Sequence, residues 1–227
     1  MEIFTEMTEG DHEEVVFCSD RASGLRAIIA INSTKLGPAI GGCRFMAYHS
    51  EAEAIQDALR LARAMTYKSA VSGLDYGGGK AVILKYESGR ERDLLFKKFG
   101  SFLESLKGKY ITTVDSGTTI IDMENIRSET SYVTGIPTER SGLGDPSPIT
   151  ARGVVWGMKA CLSELYGNDS LSNKVVAIQG VGNVGYYLGL LLEKEGARLI
   201  VADINEERTK RLAHEIKVEI VSPEQIC

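Results

Sequence analysis

The sequence predicts an α/β fold built in two parts, and three observations lead there. Apolar runs of strand character alternate with helical periodicity through the first 134 residues, the pattern of a layered α/β domain. Residues 135–153 then become dense in Gly and Pro, which marks a hinge or loop and not an element interior. From 154 to 227 a different unit follows, in which strand, glycine turn, helix and strand succeed one another.

In the first part, Val15-Val16-Phe17 and Leu25–Ile31 are β-rich runs separated by the turn-prone Ser23-Gly24. Ser50 with Glu53 reads as a capping box, and Ile55, Ala58, Leu59, Ala62 and Met65 follow it at helical spacing. Ala81–Leu84 is expected as a short buried strand, Leu94–Leu106 as a second helix, Tyr110–Val114 as a strand and Met123–Thr130 as a helix.

In the second part, Thr150 is expected to cap a helix running through Trp156 to Leu165. Lys174–Gln179 is then a strand leading into Gly180-Val181-Gly182-Asn183-Val184-Gly185, a helix, the strand Ala197–Ala202 and Asp203. This is a dinucleotide fingerprint in its full context, hence a Rossmann unit. The glycines allow a tight turn and bring a pyrophosphate close to a helix N-terminus, whose N–H groups stabilise an anion. Asp203, about 20 residues on, is suited to accept a hydrogen bond from a ribose 2′-hydroxyl. Its charge would repel a 2′-phosphate, so NAD is expected over NADP. The competing reading is a glycine-rich turn that serves packing alone. Val218–Val221 is a candidate third strand, whereas a complete doubly wound domain has about six. The expected fold is therefore an N-terminal α/β domain followed by a partial Rossmann domain.

Composition narrows the function classes. The 227 residues are 43% hydrophobic and 25% charged, as in soluble globular proteins. A net charge of −5 and the absence of a Lys/Arg block argue against nucleic acid, which needs a basic surface. The polar, acidic segment Met1–Glu14 has neither signal-peptide nor transit-peptide character, and no apolar run is long enough to span a bilayer. Cys18, Cys43, Cys161 and Cys227 are widely spaced, which favours a reducing cytoplasm over a disulfide framework. His12, His49 and His214 are equally scattered, so no metal site is expected.

Gly77-Gly78-Gly79-Lys80 is expected in a loop just ahead of Ala81–Leu84. It is not a phosphate-binding P-loop: Leu74 stands where the first glycine belongs, Ala81 replaces the Ser or Thr, and a strand follows in place of a helix. Three glycines let the backbone approach a ligand and hold Lys80 at the base of a cleft. Lys68 closes the capped helix and can return beside it. Two neighbouring ammonium groups, with partial burial added, lower a lysine pKa toward the range of a general base. Asp115 in Thr112-Thr113-Val114-Asp115-Ser116-Gly117 is placed to shuttle a proton. From spacing alone, a solvated loop lysine and a turn-forming aspartate are the leading alternatives.

Taken together, Leu36-Gly-Pro-Ala-Ile-Gly-Gly, Asp57-Ala-Leu-Arg-Leu-Ala-Arg, Met65-Thr-Tyr-Lys, Gly77-Gly-Gly-Lys, Tyr132-Val-Thr-Gly, Asp145-Pro-Ser-Pro and Gln179-Gly-Val-Gly-Asn-Val-Gly resemble the Glu/Leu/Phe/Val dehydrogenase family. The likeness runs over nearly the whole chain and is nearest to the leucine-type members. It implies an N-terminal amino-acid dehydrogenase domain for substrate binding, catalysis and oligomerisation (1–134), a hinge (135–153) and an incomplete NAD-binding domain (154–227). It also implies that Lys80 activates water, Asp115 assists proton transfer and Lys68 binds the substrate carboxylate. Gly41 and Gly42 would present backbone to the substrate, with Ile40, Met65 and Thr113 lining its side-chain pocket. Gly180, Val181, Gly182, Asn183, Val184, Gly185 and Asp203 would hold NAD, and Thr150 would approach the nicotinamide.

The implied reaction is reversible NAD-dependent oxidative deamination of a branched aliphatic L-amino acid to a 2-oxo acid and ammonia. Domain closure would exclude water from hydride transfer, and the assembly would be a homo-oligomer. Phenylalanine, valine or tryptophan are alternative substrates, and a catalytically inactive, oligomerising remnant is the alternative function. Cys43 replaces a frequent Thr, Val114 stands where small or acidic residues are common, Asp145 replaces a frequent Asn, and the family's C-terminal part is missing.

Overall fold

The computed structural model describes residues 2–85, 91–137 and 144–226, in two compact units, Met1–Asp145 and Pro146–Cys227. Residues 138–143 of the expected hinge, and Cys227, lie outside the described residues.

The first unit contains, in order, α1 (Ile3–Glu9), β1 (Glu14–Asp20), β2 (Leu25–Ser33), β3 (Ala39–Met46), α2 (Glu51–Val71), β4 (Gly77–Leu84), α3 (Arg92–Ser105), β5 (Tyr110–Val114) and α4 (Ile120–Arg127). Its sheet has the order β1-β2-β4-β3-β5. β1, β2 and β4 pair antiparallel, whereas β3 runs parallel to both β4 and β5. Mixed pairing follows from the connections: a tight turn joins β1 to β2, while α2 and α3 provide the crossovers that parallel strands require.

Helix α2 begins where its capping residues say. The Ser50 hydroxyl accepts from Glu53 N–H at 3.1 Å, and the Glu53 carboxylate accepts from His49 N–H at 2.9 Å. Its Ala54, Ala58, Leu59 and Ala62 pack on Ile28, Ala30, Val82 and Leu84 across one sheet face. The other face carries the larger core, where Phe96, Phe99 and Leu103 of α3 and Met123 and Ile126 of α4 meet Ile29, Ile31, Ile83 and Tyr110. Each such large apolar side chain, fully buried, stabilises the unit by about 1.5–3 kcal/mol relative to exposure.

Two expectations for the first unit need correction. Gly77-Gly78-Gly79-Lys80 is not a loop but the first half of β4. The reason is packing: a Cβ on Gly78 would lie 2.5 Å from the Ala62 carbonyl oxygen and closer still to Thr66, so glycine lets α2 lie directly on a central strand. Helix α4 runs three residues earlier than the expected Met123–Thr130, because Thr119 and Asp122 form a capping box that starts it at Ile120. Strand β3 and helix α1 carry no counterpart among the expected elements; the two glycines inside β3 mask its strand signal.

The second unit comprises α5 (Ser147–Tyr166), β6 (Val175–Gln179), α6 (Asn183–Lys194), β7 (Arg198–Ala202), α7 (Glu206–Glu215) and the two-residue β8 (Glu219–Ile220). The strands form a parallel sheet in the order β6-β7-β8, around a core of Val155, Ile178, Leu192, Leu199, Val201 and Leu212. Helix α5 opens at Ser147, so Thr150 does not cap it; its hydroxyl instead donates to the Pro146 carbonyl at 3.0 Å from within the first turn. Pro148 in that turn is compatible with the early start, since N-terminal helical positions need no intrahelical N–H donor. No described helix is long and apolar enough to cross a membrane.

Candidate functional site

Register brings the first unit's candidate residues together. Cys43 on β3 pairs with Ala81 of β4 on one side and with Val114 of β5 on the other. Lys80, just before Ala81, and Asp115, just after Val114, therefore flank β3 on the face that α2 covers. Between them lies Gly42, where an added Cβ would sit 2.7 Å from both Cβ and Oδ2 of Asp115. The missing side chain leaves the space through which Lys80 Nζ and the Asp115 carboxylate form an ion pair.

Lys80 is only 4% exposed. Burial, then the Arg44 guanidinium, draws its ammonium down from 10.5 to about 8, with Lys68 a smaller contribution in the same direction. The expected order of causes is thus reversed: desolvation dominates and the second lysine is minor. The Asp115 carboxylate stands alongside as the ion-pair partner of Lys80.

Arg44 and its partners are functional candidates that sequence reasoning missed. Its Nη1 donates to Asp57 Oδ2 of α2 at 2.7 Å, and its Nε lies 3.5 Å from Asp115 Oδ1. Asp57 also accepts from the Tyr48 hydroxyl at 2.7 Å and from Arg60 at 2.9 Å. The signal was available in the helical pattern: Asp57, Met65 and Lys68 are spaced to fall on one stripe of α2, so a carboxylate precedes the pocket residue and the lysine.

The turn after Asp115 is fixed independently. Asp115 N–H donates to Thr118 Oγ1 at 2.8 Å. Arg92 donates to the Gly117 carbonyl at 2.7 Å and to both oxygens of Asp122, each at 2.7 Å. Its guanidinium also lies over the rings of Phe45 and Phe96, 4.8 and 5.1 Å from their centroids.

The remaining expected residues distribute around this pair. Lys68 is exposed in the last turn of α2, where its ammonium suits an anionic ligand. Met65 lies against Gly41, where an added Cβ would be 3.4 Å from Met65 Cγ. Thr113 pairs with Gly42 and Ile40 with Ile111, and both Thr113 and Ile40 are half-buried. The Gly41 carbonyl already accepts from the buried Tyr110 hydroxyl at 2.7 Å. Cys43 points into the opposite core, where burial pushes its thiol well up.

In the second unit, Gly180 has φ +95°, and a Cβ at Gly185 would collide with the Gly180 carbonyl; both positions require glycine. A Cβ on Gly180 or Gly182 would meet open space, so the backbone there is accessible to a phosphate group. Val181 is buried in the unit's core, Val184 is half-buried and Asn183 is exposed at the start of α6. Asp203 accepts from Val181 N–H at 2.7 Å through Oδ2 and from Asn205 N–H at 2.8 Å through Oδ1. Burial raises its pKa, but the two N–H groups and Arg208 outweigh that and hold the carboxyl below its ordinary value. These residues fit a dinucleotide: a glycine turn with open space above it, a helix N-terminus and an ionised acid at the next strand's end.

Comparison with known proteins agrees with this arrangement. Residues 12–132 match the family model described as Glu/Leu/Phe/Val dehydrogenase, dimerisation domain, and residues 141–205 match Glutamate/Leucine/Phenylalanine/Valine dehydrogenase. The chain is 53% identical over 226 residues to leucine dehydrogenase of Geobacillus stearothermophilus, covering 100% of this chain and 62% of that protein. It is 48% identical to valine dehydrogenase of Streptomyces virginiae, over 91% of this chain and 58% of the relative. Among solved structures, L-tryptophan dehydrogenase from Nostoc punctiforme aligns with a TM-score of 0.69 at 37% identity, covering 98% of this chain and 63% of that one. The chain spans less than two thirds of the length of each of these relatives.

Proposed function

The chain belongs to the Glu/Leu/Phe/Val dehydrogenase family, and on that premise we propose that it carries the reaction centre for reversible, NAD-dependent oxidative deamination of an L-amino acid. A branched aliphatic substrate is favoured by the 53% identity to a leucine dehydrogenase. The observation that carries this reading is the ion pair of buried Lys80 with half-buried Asp115, meeting across Gly42.

Lys68, exposed and cationic, takes the substrate α-carboxylate. Gly41 and Gly42 would present their backbone groups to the substrate, and Ile40, Met65 and Thr113 border its side chain. Gly180–Gly185, Asp203 and Thr150 would hold NAD⁺, which when bound would supply the acceptor for the α-hydride. Lys80, with its proton affinity lowered toward neutrality, takes a proton from the water that attacks the imino carbon. Asp115 relays a proton to the departing nitrogen, so that the C–N bond breaks and ammonia leaves with the 2-oxo acid. General base action of this kind is most effective when the base's pKa lies near the working pH.

Residues 1–134 serve substrate binding, catalysis and self-association in this reading, 135–153 the hinge, and 154–227 nucleotide binding. Self-association is supported by the dimerisation-domain description of the matching family model. The test is Lys80→Ala: NADH formation from NAD⁺ and L-leucine should vanish while NADH still binds, as followed by its fluorescence. An undiminished rate removes Lys80 from the reaction.

A further inference from the structure

Resting on the reading of Lys80 and Asp115 as the reacting pair, we propose that Arg44, restrained by Asp57, is a positioning residue that sets how the Asp115 carboxylate is divided between two cations. Oδ2 of Asp115 pairs with Lys80, whereas Oδ1 faces Nε and Nη2 of Arg44, both at 3.5 Å. That separation is long for a charged hydrogen bond, which is optimal at about 2.8 Å.

What keeps Arg44 back is Asp57. Its carboxylate lies 2.7 Å from Arg44 Nη1 and is itself held by Tyr48 and Arg60. Arg44 and Asp57 are both shielded, with side chains 20% and 11% exposed, so solvent screens their interaction only partly. The guanidinium is thus anchored from the helix side. It contributes positive charge beside Asp115 without capturing the oxygen that Lys80 uses.

Among the described residues, the charged and titratable groups around Lys80 are Asp115 just after β5, Arg44 and Cys43 from β3, and Asp57 and Lys68 from α2. Arg44 and Asp57 act on it with opposite sign. Removing Arg44 therefore makes the Lys80 ammonium easier to keep, and removing Asp57 makes it harder. Asp57 removal adds a second effect in the same direction, since it releases Arg44 toward Asp115. Mere loosening of the fold would move both variants together, toward an ordinary lysine.

The experiment is an NMR titration of the lysine Nζ and Cε signals in the full 227-residue chain, with Lys80 assigned by its loss in Lys80→Arg. Arg44→Gln should raise the Lys80 midpoint, and Asp57→Asn should lower it, each by about half a pH unit or more. Arg44→Lys, which keeps the charge, should stay near the parent. Coincident midpoints, or Arg44→Gln and Asp57→Asn both shifting upward, overturn the proposal. Should Arg44→Gln fail to fold, the Asp57→Asn shift decides alone: downward supports the role and unchanged or upward overturns it. A parent midpoint at the ordinary value of about 10.4 would instead remove Lys80 as the base, yet leave the opposed displacements readable.

Discussion

Asp115 and Asp203 occupy matching places in their two units, each the first residue after a parallel strand, β5 and β7. Their surroundings differ. Asp115 faces two side-chain cations, Lys80 on one oxygen and Arg44 near the other, and takes a single backbone N–H, that of Ser116, on Oδ1. Asp203 faces backbone, with Val181 N–H and Asn205 N–H taking one oxygen each, and Arg208 stands 3.7 Å away. A carboxylate among mobile protons can exchange them; one committed to peptide N–H groups cannot. In the proposed function the same residue at the same topological position would be a reacting group in one unit and a nucleotide-facing group in the other.

Substitutions sharpen that contrast. The largest effect is expected for Lys80→Ala, which removes the base: turnover should drop by about 10²–10⁴-fold, with nucleotide affinity unchanged in a fluorescence titration. Gly42→Ala comes next. Its methyl group would intrude 2.7 Å from Asp115 Oδ2 and force Lys80 and Asp115 apart. Misplacement of about 1 Å costs about 10²-fold in rate, and overpacking lowers stability by about 1–3 kcal/mol, visible in a melting curve.

Asp203→Asn should act on binding and not on chemistry. Replacing a charged acceptor for the ribose hydroxyls by a neutral amide should cost about 1.5 kcal/mol, or roughly tenfold in NADH affinity. The preference for NAD over NADP should narrow, while the rate at saturating nucleotide holds. A collapse of that saturated rate would erase the distinction between the two aspartates. The smallest effect is in pH. Lys80 must be neutral to accept a proton, so the rate should rise through about 8 and level off above it. A profile flat between 7 and 9 would contradict the assignment, which places the midpoint at about 8.

How much of this was legible in the sequence depended on which physical signal carried it. Helix α2 and strand β5 were plain, because a cap with apolar periodicity and a short β-branched run leave little choice. The Rossmann-like turn was equally plain, since a positive φ at Gly180 and close packing at Gly185 require glycine. The location of Lys80 was misread, because glycine ordinarily signals a loop, and here it serves the close approach of α2 to β4. Strand β3 was hidden by Gly41 and Gly42 for a related reason. Arg44 and Asp57 escaped because their pairing joins a strand to a helix across thirteen residues, and only the folded register puts both next to Asp115. The start of α5 at Ser147 was obscured by Pro146 and Pro148, which read as loop residues although the first turn of a helix accepts them.

The most direct test of the Lys80–Asp115 centre is NADH formation by the purified chain and its Lys80→Ala variant, with NAD⁺ and L-leucine, across a pH series. The account predicts turnover by the parent that climbs through about 8 and a rate lower by about 10²–10⁴-fold in the variant, though both bind NADH alike. Equal rates in the two proteins would contradict it.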